Sequence, residues 1–216
     1  MHRRWHESSR TSFNPTPPDH AGGQGPREPS DLLRDAEAAA DRGQLEAALQ
    51  LYRFAIAGTS GEQAARARLD LAAVHQELEQ PAEAETALRW ALTALVAPGE
   101  RARALNQLGV LRRLAGAHDE AGGLHQQARI AGASAGDLLQ QAVAIGNLAE
   151  LARLGGDMRG AAALRQQSAE LEETEGLLSK AARSWAQERS HHRSAGNLRC
   201  AANAAARARL KDSGVV

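Results

Sequence analysis

Residues able to do chemistry are few in this 216-residue chain, and they are scattered. Gly132-Ala133-Ser134-Ala135-Gly136 has the G-x-S-x-G spacing of a nucleophile elbow. That motif needs a buried strand before the serine and a helix after it, so that a sharp turn presents the hydroxyl. Here a Gln-rich helical stretch, HQQARIA, comes first, and no strand pattern occurs anywhere, so 132–136 reads as a loop between repeats. The histidines suggest a metal only superficially. His191 and His192 are adjacent, and His118 and His125 lie seven apart, but neither pair has an HExxH frame or a second pair of ligands at metal spacing. Glu172-Glu173 lies on a polar helix and reads as solvated. No glycine loop ends in Lys-Ser or Lys-Thr to hold a phosphate. The single cysteine, Cys200, excludes an internal disulfide framework and reads as a buried, inert thiol. No catalytic constellation, metal site or cofactor site is expected.

Composition narrows the classes further. Lys plus Arg and Asp plus Glu both number 26. A phosphate backbone is usually met by a basic excess, so nucleic acid is not the expected partner. Aromatics are 3% of the chain, too few for a base-stacking platform. No run of about 18 apolar residues is present to span a membrane. No apolar segment follows the basic start Met1 to Arg10, so no targeting segment is visible and a cytoplasmic location is the default expectation. Residues 1–29 are rich in Pro, Gly, Ser and His without apolar periodicity and should be a disordered tail. Arg3, Arg4 and Trp5 are the one candidate short motif in it.

The elements that would have to position any site are helices. In Leu105 to Ala131, Leu105, Leu108 and Leu111 set one apolar helical face. Gly109 sits mid-helix, which implies another backbone packed close against it, with a crossing near Ala121. Gly116 ends the helix in a left-handed turn. Small Ala121 and Ala128 mark a second helix. The same four slots recur as Ala36, Gly43, Ala48 and Ala55; as Ala72, Glu79, Ala84 and Ala91; as Ala149, Gly156, Ala161 and Ser168; and as Arg189, Gly196, Ala201 and Ala208. Successive turn slots are 36, 37, 40 and 40 residues apart. Fixed self-similarity at this period marks a solenoid. Ten helices are expected. The first runs from an N-cap at Ser30, with Asp31 in its first turn, to Arg42. A Ser60–Gln63 capping box opens the third, and Pro81 starts the fourth, which Pro98-Gly99 ends. Asp137 caps the seventh, Gly155-Gly156 ends it, and the last pair spans 177–194 and 197–211. His75 and His192 share one slot, and His125 takes the bulky slot of Tyr52, so all three read as packing residues. Ala121→Leu or Ala161→Leu should overpack and lower stability by ~1–3 kcal/mol.

These repeats resemble the tetratricopeptide repeat family over roughly residues 30–211. LNQLG followed by AGAHDEA, IGNLAELARLGGD and GQLEAALQLYRFA carry the resemblance, with Tyr52 in the bulky slot and Trp185 early in a first helix. The 40-residue spacing and Asn147-Leu148-Ala149 are similar to the long-helix, Leu-Gly-Asn subclass of bacterial type. Glu79 in place of a turn glycine and Arg189 in place of a small residue are departures. The resemblance implies an all-α, right-handed solenoid of about five antiparallel hairpins over 30–212, with 213–216 as a flexible end. It also implies that the first helices line a concave groove that takes a peptide.

Groove-facing residues on the first helices should include Arg66, Gln76, Asn106, Arg113, Asn147, Glu150, Arg153, Gln187 and Arg193. Asn106, Val110 and Arg113 share a face by i, i+4, i+7 spacing. Asn can bond both groups of a peptide backbone, and Arg can fork onto a carboxylate, so an acidic or C-terminal peptide fits this row. A solvated polar face is the bland alternative. The expected function is a non-catalytic interaction scaffold, the alternative being a sensory module whose superhelix responds to a bound peptide or partner.

Overall fold

The computed structural model describes residues 27–174, which form eight helices and no strand. They are α1 (Pro29–Asp41), α2 (Leu45–Ala57), α3 (Gly61–Glu77), α4 (Pro81–Ala94), α5 (Pro98–Leu114), α6 (His118–Ala135), α7 (Leu138–Leu154) and α8 (Met158–Thr174). Consecutive helices pair into four antiparallel hairpins, and each hairpin stacks on the next. The expected fifth hairpin, with Trp185, Arg189, His191, His192, Gly196, Cys200, Ala201 and Ala208, lies outside the described residues.

The four repeated slots explain why the hairpins close. Ala36, Ala72, Ala149, Ala48, Ala84, Ala121, Ala161, Ala55, Ala91 and Ala128 are all completely buried, and Ser168 nearly so. A larger side chain at any of them would push two helix axes apart. The turn slot is left-handed every time: φ is +70° at Gly43, +79° at Gly116 and +85° at Gly156. Glu79 takes the same conformation at φ +56°, alone among the described non-glycine residues. The hairpin thus imposes its turn even where a Cβ opposes it.

Several boundaries differ from the sequence reading. Glu28, not Ser30, is the N-cap of α1, because Pro29 occupies the first turn, where its missing N–H is no loss. Ser60 does precede α3, but its side chain makes no capping bond, so the Ser60–Gln63 capping box does not form. Pro98-Gly99 does not end α4. Pro98 opens α5, and α4 stops at Ala94. Residues 132–136 are not a loop, since α6 continues through Ala135 and only Gly136 turns left-handed. Gly132 is buried inside the helix, where an added Cβ would meet Gln141 of α7 at 3.1 Å. That glycine serves a close approach between helices, not a turn. Asp137 caps α7 as expected, its carboxylate accepting from the Gln140 N–H at 2.9 Å.

The core divides into clusters between hairpins. One is built from α1, α2 and α3 around Tyr52, Leu49, Leu71 and Val74. A larger one joins α3 and α4 to α5 around Leu69, Leu88, Leu95 and Leu108. A smaller one, Leu105, Ala128 and Ala144, joins the third hairpin to the fourth.

Candidate functional site

The first helices lie side by side, and polar side chains stitch them. From α3 to α5, Arg66 reaches the Glu100 carboxylate at 2.8 Å and Arg103 reaches Asp70 at 2.8 Å. From α5 to α7, the Asn106 amide donates to the Gln140 carbonyl and to its side-chain oxygen, each at 3.1 Å. This sorts the expected groove residues. Arg66 is exposed but held between Glu62 and Glu100. Asn106 is a correction. It is 3% exposed, and its Oδ1 faces the His125 Nδ1 at 3.3 Å, so no part of its amide is left for a peptide. Asn106 faces α7 rather than solvent. Gln76 is half-buried on α3, its Nε2 covered and without a described hydrogen-bond partner. Gln187 and Arg193 lie outside the described residues.

Behind Asn106 stands His125, in the bulky slot as expected. Gly109 lies under its ring: an added Cβ there would meet the imidazole Cε1 at 2.6 Å. The nearest neighbour of Gly109 is thus a side chain of α6. Since the Asn106 amide nitrogen donates to Gln140, its Oδ1 must accept. His125 therefore carries its proton on Nδ1. Burial, then the charge of Arg113, hold its pKa down at about 4, so it is neutral near pH 7.

Arg113 and Arg153 stand in the last turns of α5 and α7, and the charges of both act on Glu150. Arg153 makes a bidentate pair with Glu150, at 2.6 and 2.9 Å. That pair holds the Glu150 carboxyl below its ordinary range, and the charges of Arg153, Arg113 and Arg165 lower it further. Asn147 is one turn back on α7 and half-buried. Arg165, which the sequence reading did not select, occupies the bulky slot of α8, equivalent to Tyr52 and His125. Its guanidinium lies against Gly146 of α7, and burial lowers its pKa. The Nε atoms of Arg113 and Arg165 are buried without a described hydrogen-bond partner.

Two exposed leucines adjoin the cluster in sequence. Leu114 is 70% exposed and Leu154 43% exposed, each directly after an arginine of the cluster. The signal was in the sequence: Arg113-Leu114 and Arg153-Leu154 both stand two residues before a turn glycine. Each of these two arginines is thus followed in sequence by an exposed leucine. Elsewhere, the Ser134 hydroxyl donates to the Ile130 carbonyl at 3.0 Å within α6, so the serine sits on a helix and not at an elbow. Among the described residues, no group of three or more His, Cys, Asp or Glu could hold a metal. Nor is any described helix long and apolar enough to cross a membrane.

No family model and no curated protein matches this sequence. Solved structures match its shape. BtubC (BKLC) from P. vanneervenii superposes with a TM-score of 0.75 at 16% identity, covering 86% of this chain and 80% of that one. The nearly identical TPR-like repeats of a predicted kinesin light chain from Podospora anserina give 0.66 at 16%, covering 86% and 95%. The fold is a tetratricopeptide-like solenoid. A Rap protein complexed with Competence and Sporulation Factor gives 0.67 at 15%, covering 84% of this chain and 53% of that one.

Proposed function

We propose that this tetratricopeptide-like chain is a non-catalytic interaction scaffold that seats a partner peptide or domain on the face of its first helices. The working contacts are Arg113, Asn147, Glu150 and Arg153, with Leu114 and Leu154 as apolar anchors and Arg165 behind them. The observation that carries this is the Arg113–Glu150–Arg153–Arg165 cluster. It brings three arginines around one carboxylate, and two of them are followed in sequence by an exposed leucine. Such an arrangement favours an acidic segment or a C-terminal carboxylate flanked by an apolar residue: guanidinium takes carboxylate in a fork, and leucine adds apolar area. The Rap protein complexed with Competence and Sporulation Factor supports this reading, because about half of that protein has a similar fold.

The test is an affinity pull-down from the source lysate, comparing wild type with an Arg113→Ala, Asn147→Ala, Arg153→Ala variant. Circular dichroism confirms that the variant is helical. A partner kept by the wild type and lost by the variant is expected. Equal retention of every partner would place binding on another face.

A further inference from the structure

A groove of about 420 Å³ runs between α3 and α4, away from the arginine cluster. Arg68, Leu71, His75, Glu83, Ala87 and Trp90 form its main walls. It exists because two slots are filled differently here. Leu105 and Leu124 of the third hairpin pack into the cluster joining it to the fourth. The equivalent slots of the second hairpin hold Arg68 and Ala87. Arg68 lies over the Trp90 ring, 3.6 Å from its centroid, and donates to the Ala64 carbonyl at 3.2 Å. Among the described residues no carboxylate pairs with it, and burial lowers its pKa. Trp90 remains 47% exposed. The groove therefore has an apolar floor, an unpaired cation at one end and the exposed Glu83 at the other.

The two ends are a fixed distance apart. Arg68 and Trp90 stand at one end, His75 and Glu83 at the other. Seven residues of helix from 68 to 75 span about 10 Å. An occupant should carry an acid and a base about that far apart, with an apolar or aromatic group between them. The chain itself contains such a segment: Arg3-Arg4-Trp5-His6-Glu7, outside the described residues. From Arg4 to Glu7, three extended residues span about 10 Å. The polarity also fits. The described chain begins at Arg27, and the Pro29 ring packs on Gly58, just before α3. A chain leaving that point reaches the Arg68 end first, which is where Glu7 would sit, with Arg4 further along at Glu83. The nineteen residues between Glu7 and Arg27 reach up to about 65 Å, ample for this path.

We infer that the α3/α4 groove is a docking site for a basic–aromatic–acidic segment, and that residues Arg3 to Glu7 of this chain occupy it. Glu7 pairs with Arg68, Trp5 lies along Leu71, Ala87 and Trp90, and Arg3 or Arg4 meets Glu83. Tethering makes the contact intramolecular, so weak individual pairs suffice.

The test uses the full chain with Trp5 replaced by the photo-crosslinker benzoylphenylalanine, mixed with an equal amount of heavy-isotope-labelled chain. Crosslinked peptides are read by mass spectrometry. The expected result is a within-chain crosslink to α3 or α4 between Arg68 and Trp90. Arg68→Glu should reduce it about threefold, in line with a partly exposed ion pair, and Glu7→Arg in the same chain should restore it. If Arg68→Glu loses helicity, Glu83→Arg with Arg3→Glu and Arg4→Glu carries the same test on an exposed position. Crosslinks between heavy and light chains would put a second copy in the groove and overturn the inference. So would crosslinks elsewhere, no crosslink, or a yield that neither charge reversal changes.

Discussion

The second and third hairpins meet through four ion pairs around an apolar core, whereas the third and fourth meet through the neutral Gln140–Asn106–His125 bonds around a thin one, with the Glu150 charges at their ends. At the first junction Arg66–Glu100, Asp70–Arg103, Arg89–Glu120 and Glu85–Arg112 cross between hairpins, outside the cluster of Leu69, Leu88, Leu95 and Leu108. At the second, half-buried Gln140 and buried Asn106 and His125 form a chain of hydrogen bonds, and Gly132 lets α7 come close. The same repeat is thus joined in two ways. Partly exposed ion pairs contribute little each and are screened by salt. A buried polar chain is costly wherever a member lacks a partner, and the His125 Nε2 is buried without a described one.

The largest effect should come from breaking that chain. Asn106→Ala leaves the buried His125 Nδ1 without its partner and removes both bonds to Gln140, whose carbonyl keeps its bond within α7. A loss of about 3 kcal/mol is expected, measured by urea unfolding. A loss below about 1 kcal/mol would mean that water replaces the amide and the junction is not dry.

Acid probes the same junction. His125 has a folded pKa of about 4 against an unfolded value near 6.5, so the unfolded chain binds its proton first. Stability is complete above about pH 6.5 and falls as the pH drops towards 4, by about 2–3 kcal/mol. Asp70 works the other way. Its carboxyl is pushed up by burial more than Arg103 pulls it down, so it favours the folded state slightly as it protonates. His125→Phe keeps a ring in the slot and removes the titration. Its stability profile should be flat between pH 6.5 and 5, and a slope equal to wild type would assign the acid sensitivity to another group.

The ionic junction should respond more weakly. Burial dominates the Asp70 carboxyl despite Arg103 at 2.8 Å, so desolvation uses up most of what that pair gains. Arg103→Ala should cost about 1 kcal/mol, and Asp70→Asn in the same chain should recover much of it. In 1 M sodium chloride the Arg103→Ala difference should shrink, while that of Asn106→Ala stays the same. Equal salt dependence for both would erase the distinction between the junctions.

The sequence made the hairpins readable because packing leaves no freedom at their small slots. Alanine or glycine at fixed spacing is what two touching helices require, and those slots are buried as read. Which way a polar residue faces was less readable. Asn106, Val110 and Arg113 do share a helix face, but that face spans both the open side of α5 and its edge against α7. Only the position of α7 separates Arg113 from Asn106. Gly132 was ambiguous for a related reason: glycine serves a turn or a close approach, and the deciding neighbour, Gln141, lies in the next helix. Arg165 was missed because the bulky slot usually holds an apolar ring, and nothing local shows that the slot opens towards Glu150.

The smallest effect lies in the turns, where the second hairpin again differs from the third. Glu79 holds φ at +56° where Gly116 holds +79°. A left-handed residue with a Cβ costs about 1 kcal/mol in the folded state. Glycine removes that strain but gives the unfolded chain more freedom to lose. Glu79→Gly should therefore raise stability by about 0.5 kcal/mol, a gain read as a small rise in Tm. Gly116→Ala should lower stability by about 1 kcal/mol, since nothing lies within 4 Å of the added Cβ and the whole effect comes from the backbone. If Glu79→Gly instead destabilises, the Glu79 side chain contributes at that turn, and the second hairpin closes by a contact that the other three do without.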